Sequence, residues 1–464
     1  MLIIIALHMM RVWIAHLASP VTWDYGPAQL AIHVARFVNG APLYSDFRIA
    51  PFSPLVYGPI VPTMTAIIAP IFGGGPMAAL EAGRLLTVAS ALLTCAMIFV
   101  VARKCDASGT AAIIATLGFL LAPIVLRWGF EYRVDMPALA CELVGIAAFA
   151  NSASVAALAM FAAAFFIKQG HAVGIATVVV FCWLSGERRR AATWGIMWLL
   201  AVGAGTALLA TIYPYYFLNT FGAVRTLRFD FAAPLLFLGI LIGGNLGLTI
   251  FASIALSRRA MRGTLIPCFA IVALLHDLAS CLRWGSNAYY FLPALAAMAI
   301  AAAAGVDLFL KRARTMSTMA QALAGAAIAM LFALGFILAP RTITTRATPE
   351  YAWDPLALAR LLTLDGPIVT DTAELKLVDT QPNLQWIDLM VLTSMQQLGT
   401  FDDRALIESI ERRRIAAFAL DPQGLRRNYR GRAMFWPRLR RAIKANYEAA
   451  PDIGPPLLML RKNR

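Results

Sequence analysis

A few ionisable residues stand at the ends of long apolar segments, where polar chemistry can meet a membrane. Asp24 follows the first apolar stretch, and Arg133 and Asp135 lie close together after a later one. Lys168 and Arg283 also lie where apolar runs end. A carboxylate at a water boundary can take a proton from a hydroxyl group, and arginine or lysine can bind a phosphate group. These residue types therefore predict a site that combines a general base with cations for an anionic group.

Each of these residues also has a simpler explanation. Asp24 fits a solvated aspartate beside an ordinary surface helix, and the cations fit side chains that extend from the end of a span to the headgroups. Arg133 and Asp135 either pair with each other, or Asp135 faces Asp24 across a cavity and orients a substrate or a cation. The residues alone leave these alternatives open.

An ionisable pair also lies inside an apolar run, at His276 and Asp277. Ionisable residues at membrane depth are costly, so such a pair indicates a functional site by default. A buried hydrogen-bonded pair that only links helices explains it equally well. His33, on the polar side of a predicted helix after Asp24, could shuttle protons, but it is interpreted here as an ordinary polar-face residue.

Composition identifies the elements that must position these residues. Of the 464 residues, 60% are apolar and 14% are charged, whereas soluble domains average about 45–50% and about 25%. One aqueous core cannot bury this many apolar side chains, so the sequence predicts a polytopic α-helical membrane protein. The formal net charge of +15 is typical of basic cytoplasmic loops, and we predict contacts with membrane lipids and no nucleic-acid partner.

Charge and length predict the topology. Crossing the hydrocarbon takes roughly 20 apolar residues, and four basic clusters, at 103–104, 188–190, 258–262 and 311–314, are expected on the cytoplasmic side. About eleven spans result, near residues 1–18, 80–102, 109–126, 136–150, 153–167, 170–184, 191–212, 232–256, 264–282, 288–310 and 316–339. The proline-rich run 55–72 is predicted to be a re-entrant or interfacial helix. An odd number of spans places the C-terminal region outside.

A change in charge density divides the chain at about residue 340. Residues 1–340 are predicted to form the transmembrane domain, with a first outer loop at 19–75 that carries an amphipathic helix over 28–38. In residues 341–464, short apolar runs alternate with helical patterns. This alternation predicts a small extracytoplasmic α/β domain.

Several short motifs resemble those of GT-C membrane glycosyltransferases, and in particular family 39. That family includes protein O-mannosyltransferases, and the lipid A aminoarabinose transferases of bacteria are similar to it. The motifs are Trp23–Tyr25, Gly40–Phe47, Pro54–Pro59, Glu81–Leu86, Arg133–Met136, Lys168–Gln169 and Gly285–Pro293. They extend over about residues 20–310.

The resemblance implies transfer of a sugar from a polyprenyl-phosphate donor to a glycan, lipid or protein acceptor on the non-cytoplasmic face of the cell inner membrane. It makes Asp24 the base that deprotonates the acceptor and favours Asp135 as a second catalytic residue. The substrate-binding candidates are Arg133, Lys168, Arg283, His276 and Tyr289. An inverting reaction needs only a base and a phosphate leaving group, so we expect inversion.

Two further expectations concern cofactors and the competing function. Tyr25 stands where relatives often carry a second acidic residue, so no cofactor is assigned and a divalent cation is only a possibility. The alternative function is a transporter or flippase of lipid-linked intermediates, which also needs many spans and intramembrane charges. The long first outer loop has no role in that alternative.

Overall fold

The protein is a helical bundle with a small sheet, described by a computed structural model. The description covers the chain except residues 1, 21, 23, 51, 227–228, 262, 339–353, 379–382, 430, 451–455 and 463–464. Three elements of the sequence prediction therefore lie outside the described residues, namely Trp23, Arg262 and the domain boundary at residue 340.

Helices form where the spans and the first-loop helix are predicted. In chain order they are α1 (Leu2–His16), α2 (Tyr25–Val38), α3 (Ile60–Ile68), α4 (Pro76–Lys104), α5 (Gly109–Leu120), α6 (Pro123–Trp128), α7 (Asp135–Ala150), α8 (Ser154–Ile167), α9 (Val173–Leu184), α10 (Arg188–Ile212), α11 (Ala233–Gly243), α12 (Leu246–Leu256), α13 (Leu265–Cys281), α14 (Leu292–Ala313) and α15 (Thr318–Leu338). Short single-turn helices include Ala69–Phe72, Leu218–Gly222, Val224–Thr226 and Ala288–Phe291.

Three segments among the described residues are long and apolar enough to cross a membrane by themselves: α4, α10 and Ala288–Ala313, which ends in α14. Helices α11 and α12 pass the same test only together, and they are bent by 90°. The segment predicted as a span over 232–256 therefore consists of two helices. The break falls at Gly244 and Asn245, where helix propensity is low, and the Asn245 amide donates to the carbonyl of Leu241 at 2.8 Å. The total of eleven spans remains a prediction.

Small residues let the central helices approach closely. Helix α14 is rich in alanine, and most of its alanines are fully buried. At Gly305 an added Cβ would lie 2.0 Å from the carbonyl oxygen of Phe251 in α12. Close backbone approach through small residues is how membrane helices gain van der Waals contact without a hydrophobic driving force.

Beyond residue 353 the chain forms a small α/β unit, which we call the C-terminal unit. Its five-stranded sheet has the order β2-β1-β3-β7-β6. Strand β1 runs parallel to β2 and β3, and β7 runs antiparallel to β3 and β6. The strands are β1 (Ile368–Thr370), β2 (Leu384–Trp386), β3 (Ala417–Leu420), β6 (Tyr447–Ala449) and β7 (Leu457–Arg461), with a separate hairpin of β4 (Asn428–Tyr429) and β5 (Arg432–Ala433). The helices are α16 (Pro355–Leu362), α17 (Leu375–Val378), α18 (Leu389–Gln397), α19 (Arg404–Glu411) and α20 (Pro437–Asn446).

Replacing Gly305 by alanine should destabilise the bundle by about 1–3 kcal/mol, because the methyl group has no space against α12. The matched control is Gly203→Ala in α10, where an added Cβ meets nothing within 4 Å. Thermal unfolding of both variants in detergent tests the packing. Equal midpoints for the two variants would show that α12 and α14 are not in close contact.

Candidate active site

One large cavity lies where the segment between α1 and α4, the ends of several helices and the C-terminal unit meet. Its volume is about 880 Å³. All seven predicted site residues line it or contact a residue that does. Asp24, Arg133, Lys168, His276, Arg283 and Tyr289 are in the wall, and Asp135 lies just behind, in contact with Arg133 and Lys168. Residues predicted from distant parts of the sequence therefore converge on one space.

Asp24 is placed by the helix that follows it. It caps the N-terminus of α2, and its Oδ1 accepts a hydrogen bond from the backbone N–H of Gly26 at 3.0 Å. Aspartate is a favoured residue at this position because it accepts from an otherwise unpaired helix N–H. The following glycine leaves space for the partner of Asp24, since a Cβ at Gly26 would lie 2.6 Å from Nη1 of Arg133.

Arg133 joins the two carboxylates. Its Nη1 donates to Oδ1 and Oδ2 of Asp24 at 2.9 and 3.0 Å, and its Nε donates to Oδ2 of Asp135 at 3.3 Å. Its Nη2 donates to the hydroxyl of Tyr289, and the guanidinium lies 3.8 Å from the centre of that ring. Arg133 therefore bridges Asp24 and Asp135, and the local pair of Arg133 with Asp135 that the sequence allowed is present.

Lys168 completes this charge network. Its Nζ lies 2.5 Å from Oδ1 of Asp135 and 3.9 Å from the ring centre of Tyr290. Two carboxylates and two cations thus alternate in the order Asp24, Arg133, Asp135, Lys168. Only Asp24 among them has much access to the cavity, because its side chain is 25% exposed whereas that of Asp135 is 3% exposed.

Arg283 has a different environment from Arg133 and Lys168. It is exposed in the cavity wall, and Arg225 is exposed in the same wall. Neither has an ion-pair partner within the part of the chain that the structure describes. Sequence reasoning missed Arg225, which lies between the predicted spans 191–212 and 232–256. These two arginines are the cations of the cavity that are free to meet an anion.

His276 lines the cavity, but both of its ring nitrogens face protein oxygens. Its Nδ1 lies 2.8 Å from Oδ1 of Asp277, and its Nε2 lies 2.6 Å from the carbonyl oxygen of Gly170. Asp277 also accepts from the backbone N–H of Ala294 at 2.9 Å. The pair therefore links α13 to the segment after Lys168 and to the start of α14, as the alternative of a helix-linking pair predicted.

His33 is buried away from the cavity. Its Nε2 lies 3.0 Å from the hydroxyl of Ser53. Burial, together with nearby Arg36, lowers the pKa of His33 to about 3, so the ring is neutral at ordinary pH. The structure therefore gives His33 no route to Asp24.

The C-terminal unit supplies an acidic wall that sequence reasoning missed. We use this name for Glu374, Asp388 and Asp421, which all line the cavity. Burial raises the pKa of Glu374, and it raises the pKa of Asp388 to about 6. No spacing in the sequence relates these residues to Asp24, because only the docking of the C-terminal unit brings them together.

Contacts with the first outer loop fix the acidic wall in place. The Oγ1 of Thr22 donates to Oε1 of Glu374 at 2.8 Å, and Nε2 of Gln29 donates to Oδ2 of Asp388 at 3.4 Å. The backbone N–H of Asp388 also donates to the carbonyl of Phe52 at 3.2 Å. The loop that carries Asp24 is therefore held between the helix bundle and the C-terminal unit.

The donor set at Asp24 does not fit a divalent cation well. Both oxygens of Asp24 accept from Arg133, so a metal ion bound there would lie next to the positive charge of that guanidinium. Among the described residues there is no group of three or more His, Cys, Asp or Glu side chains that could hold a metal ion.

No protein-family model and no curated protein sequence matches this chain, but solved structures do. ArnT from Cupriavidus metallidurans in the apo state is similar with a TM-score of 0.66 at 15% identity, over 99% of this chain and 96% of that chain. ArnT bound to undecaprenyl phosphate gives a TM-score of 0.62 at 16% identity, over 99% and 97%. This chain has the GT-C fold.

Two more distant enzymes share this GT-C fold. The oligosaccharyltransferase AglB from Archaeoglobus fulgidus, solved with an inhibitory peptide and a dolichol-phosphate, gives a TM-score of 0.59 at 12% identity, over 100% of this chain and 74% of that chain. The arabinofuranosyltransferase AftD from Mycobacteria gives 0.53 at 13% identity, over 100% and 40%. The resemblance to GT-C membrane enzymes that the motifs predicted is thus confirmed at the level of the fold.

Asp388→Asn should stabilise the protein at neutral pH. Burial raises the pKa of Asp388 from 3.8 to about 6, so the folded state holds this proton more tightly than the unfolded state. The contribution of Asp388 to the free energy of unfolding is therefore greatest below about pH 4 and falls as the pH rises to about 6. Asparagine does not ionise, and the variant should gain about 1–3 kcal/mol above pH 6.

Thermal unfolding measured between pH 4 and pH 8 tests this prediction. The difference between wild type and Asp388→Asn should grow from low pH to about pH 6 and then level off. Asp365→Asn, at an exposed position of the same unit, is the control and should show no such difference. A pH-independent difference for Asp388→Asn would mean that Asp388 is solvated.

Proposed function

We propose that this protein is a glycosyltransferase. It moves a sugar from a polyprenyl-phosphate-linked donor to an acceptor on the non-cytoplasmic face of the membrane. The observation that carries the proposal is the presence, in one cavity, of a partly exposed carboxylate at Asp24 and of Arg225 and Arg283, which have no ion-pair partner among the described residues. These are the base and the phosphate ligands that such a transfer needs.

Asp24 is the general base. Oδ1 already accepts from Gly26 and Arg133, whereas Oδ2 accepts from Arg133 alone among the described contacts. A carboxylate oxygen has room for more than one hydrogen bond, so Oδ2 can also accept from an acceptor hydroxyl. Asp135 is nearly fully buried, and its role is to orient Arg133 and Lys168 rather than to touch the acceptor.

Arg225 and Arg283 bind the donor phosphate. Arginine can grip a phosphate through two parallel hydrogen bonds, and these two side chains have no competing carboxylate among the described residues. Arg133 and Lys168 are already neutralised by Asp24 and Asp135. They form part of the cavity wall, and the Tyr289 ring packs against Arg133.

The reaction is a single inverting displacement. The acceptor oxygen forms a bond to the anomeric carbon while the bond from that carbon to the phosphate oxygen breaks. The hydroxyl proton goes to Asp24, and the electron pair of the broken bond stays on the phosphate, where the arginines stabilise it. One accessible carboxylate is sufficient for this route, and no covalent sugar intermediate is required.

The acceptor enters from the side of the C-terminal unit. Glu374 is the most accessible of the three carboxylates of the acidic wall and can accept a hydrogen bond from a sugar or another hydroxyl group there. The donor phosphate then lies beside Arg225 and Arg283.

The fold supports a multi-pass protein of the inner membrane. In this arrangement residues 1–340 form the transmembrane domain, and residues 341–464 form an extracytoplasmic domain above the first outer loop. The GT-C relatives support a lipid-linked donor, since ArnT has been solved with undecaprenyl phosphate and AglB with a dolichol-phosphate.

Asp24→Asn should reduce sugar transfer by about 10²- to 10⁴-fold, the usual contribution of a general base. Purified protein would be incubated with a panel of polyprenyl-phosphate sugars, and donor turnover would be read by mass spectrometry. Binding of the donor should persist in the variant, because the phosphate ligands are unchanged.

The control for this experiment is Asp46→Asn. Asp46 lies in the same outer loop but pairs with Arg48 on its surface side, so its replacement should leave transfer near the wild-type rate. Lipid translocation without sugar transfer, unaffected by Asp24→Asn, would instead favour a transporter or flippase.

Arg225→Gln and Arg283→Gln should each weaken donor binding by about 10- to 100-fold, because each removes a charge-assisted hydrogen bond to phosphate. Binding of a polyprenyl phosphate without sugar, measured in detergent, tests this directly. Arg48→Gln is the matched control, since Arg48 is exposed and paired with Asp46. Unchanged affinity in both cavity variants would place the phosphate elsewhere.

A further inference from the structure

Arg84 is a fully buried cation that the proposed reaction does not use. It lies in α4 with no solvent exposure. Its Nη1 donates to the carbonyl oxygens of His16 at 2.7 Å and Leu17 at 3.2 Å, and also to that of Ser19. These carbonyls end helix α1, where backbone acceptors lack intrahelical partners and the helix dipole is negative. Arg84 therefore fixes the end of α1, just before Asp24.

The same guanidinium also contacts the segment that carries Arg133. Its Nη2 lies 3.6 Å from Oε2 of Glu131, and the Glu131 side chain is 1% exposed. A buried charge is tolerated only when it is paired and hydrogen-bonded. Separating Arg84 from Glu131 would leave two buried charges without each other, so this ion pair ties Glu131 to α4.

Gly83 and Thr87, which lie near Arg84 on α4, contact Tyr132 and Arg133. An added Cβ at Gly83 would lie 2.2 Å from ring atoms of Tyr132, so the ring packs directly on the helix backbone. Thr87 Oγ1 lies 3.4 Å from both the N and the O of Arg133. One stretch of α4 thus contacts three successive residues of the segment.

We propose that Arg84 is a positioning residue that sets the contact between Asp24 and Arg133. One rigid guanidinium fork binds the chain five residues before Asp24 and two residues before Arg133, and it holds both against the same helix. The catalytic consequence rests on the proposed sugar transfer, whereas the positioning itself does not.

The rigid fork of arginine is what this role requires. A lysine has a single ammonium group and cannot bind the end of α1 and Glu131 in the same planar geometry. A displacement of about 1 Å between Asp24 and Arg133 would break hydrogen bonds of 2.9 and 3.0 Å. Misplacement of that size can lower turnover by about 10²-fold.

Hydrogen–deuterium exchange of the full-length protein in detergent tests the positioning without reference to activity. In Arg84→Met, peptides that cover residues 16–26 and 129–135 should exchange faster than in the wild type, while α14 should not change. Arg103→Met is the matched control. Arg103 lies at the other end of α4 and donates to the carbonyl of Ala107 at 2.6 Å, so its loss should leave both segments protected.

Transfer kinetics test the catalytic consequence. The turnover number, normalised to the number of donor-binding sites, should fall by about 100-fold in Arg84→Met with an unchanged KM for the donor. Because the turnover number is given per donor-binding site, a misplaced base can be distinguished from a smaller fraction of folded protein. Arg84→Lys, which keeps the buried charge, should fold if the methionine variant does not, and should show faster exchange at 129–135 with an intermediate turnover number.

The outcomes distinguish the two proposals. Unchanged exchange of both segments in Arg84→Met, or wild-type exchange and turnover in Arg84→Lys, would overturn the positioning role. Faster exchange in both segments, in a protein whose wild type transfers no sugar from any donor, would support the positioning role and defeat the proposed function.

Discussion

The guanidinium of Arg133 is the interaction on which the candidate site depends. It touches Asp24, Asp135 and Tyr289, which belong to three separate parts of the chain. Because its side chain is only 5% exposed, its charge must be balanced by protein groups. That requirement fixes the two carboxylates around it, and Lys168 balances the second of them. Arg133 thereby holds three elements in one arrangement, namely the loop that carries Asp24, helix α7 and the short helix Ala288–Phe291.

The helices follow from the sequence more directly than the site does. Apolar runs separated by basic clusters predicted where the helices of the bundle lie, since hydrocarbon length and charge placement act locally along the chain. The amphipathic pattern after Asp24 likewise predicted α2. The break at Gly244 and Asn245 was missed because the span was assigned from hydropathy, which carries no information on bending, whereas the signal lies in the low helix propensity of these residues.

The site was predicted only in part. Asp24, Arg133, Asp135, Lys168 and Arg283 stood out because polar residues are rare at the ends of apolar runs. Arg225 did not stand out, since it lies between two predicted spans and not at the end of either. Glu374, Asp388 and Asp421 could not have been found from local pattern, because their place in the cavity depends on how a separately folded sheet packs on the first loop.

The charged residues that line the cavity come from two different parts of the chain. The free arginines belong to loops of the helix bundle, and the acidic wall belongs to the C-terminal unit. In the proposed arrangement, substitutions in the C-terminal unit alter which acceptor is used while the recognition of the lipid carrier is retained. Selection can then change the acceptor through substitutions in the C-terminal unit, while the helices and loops that carry the arginines stay the same.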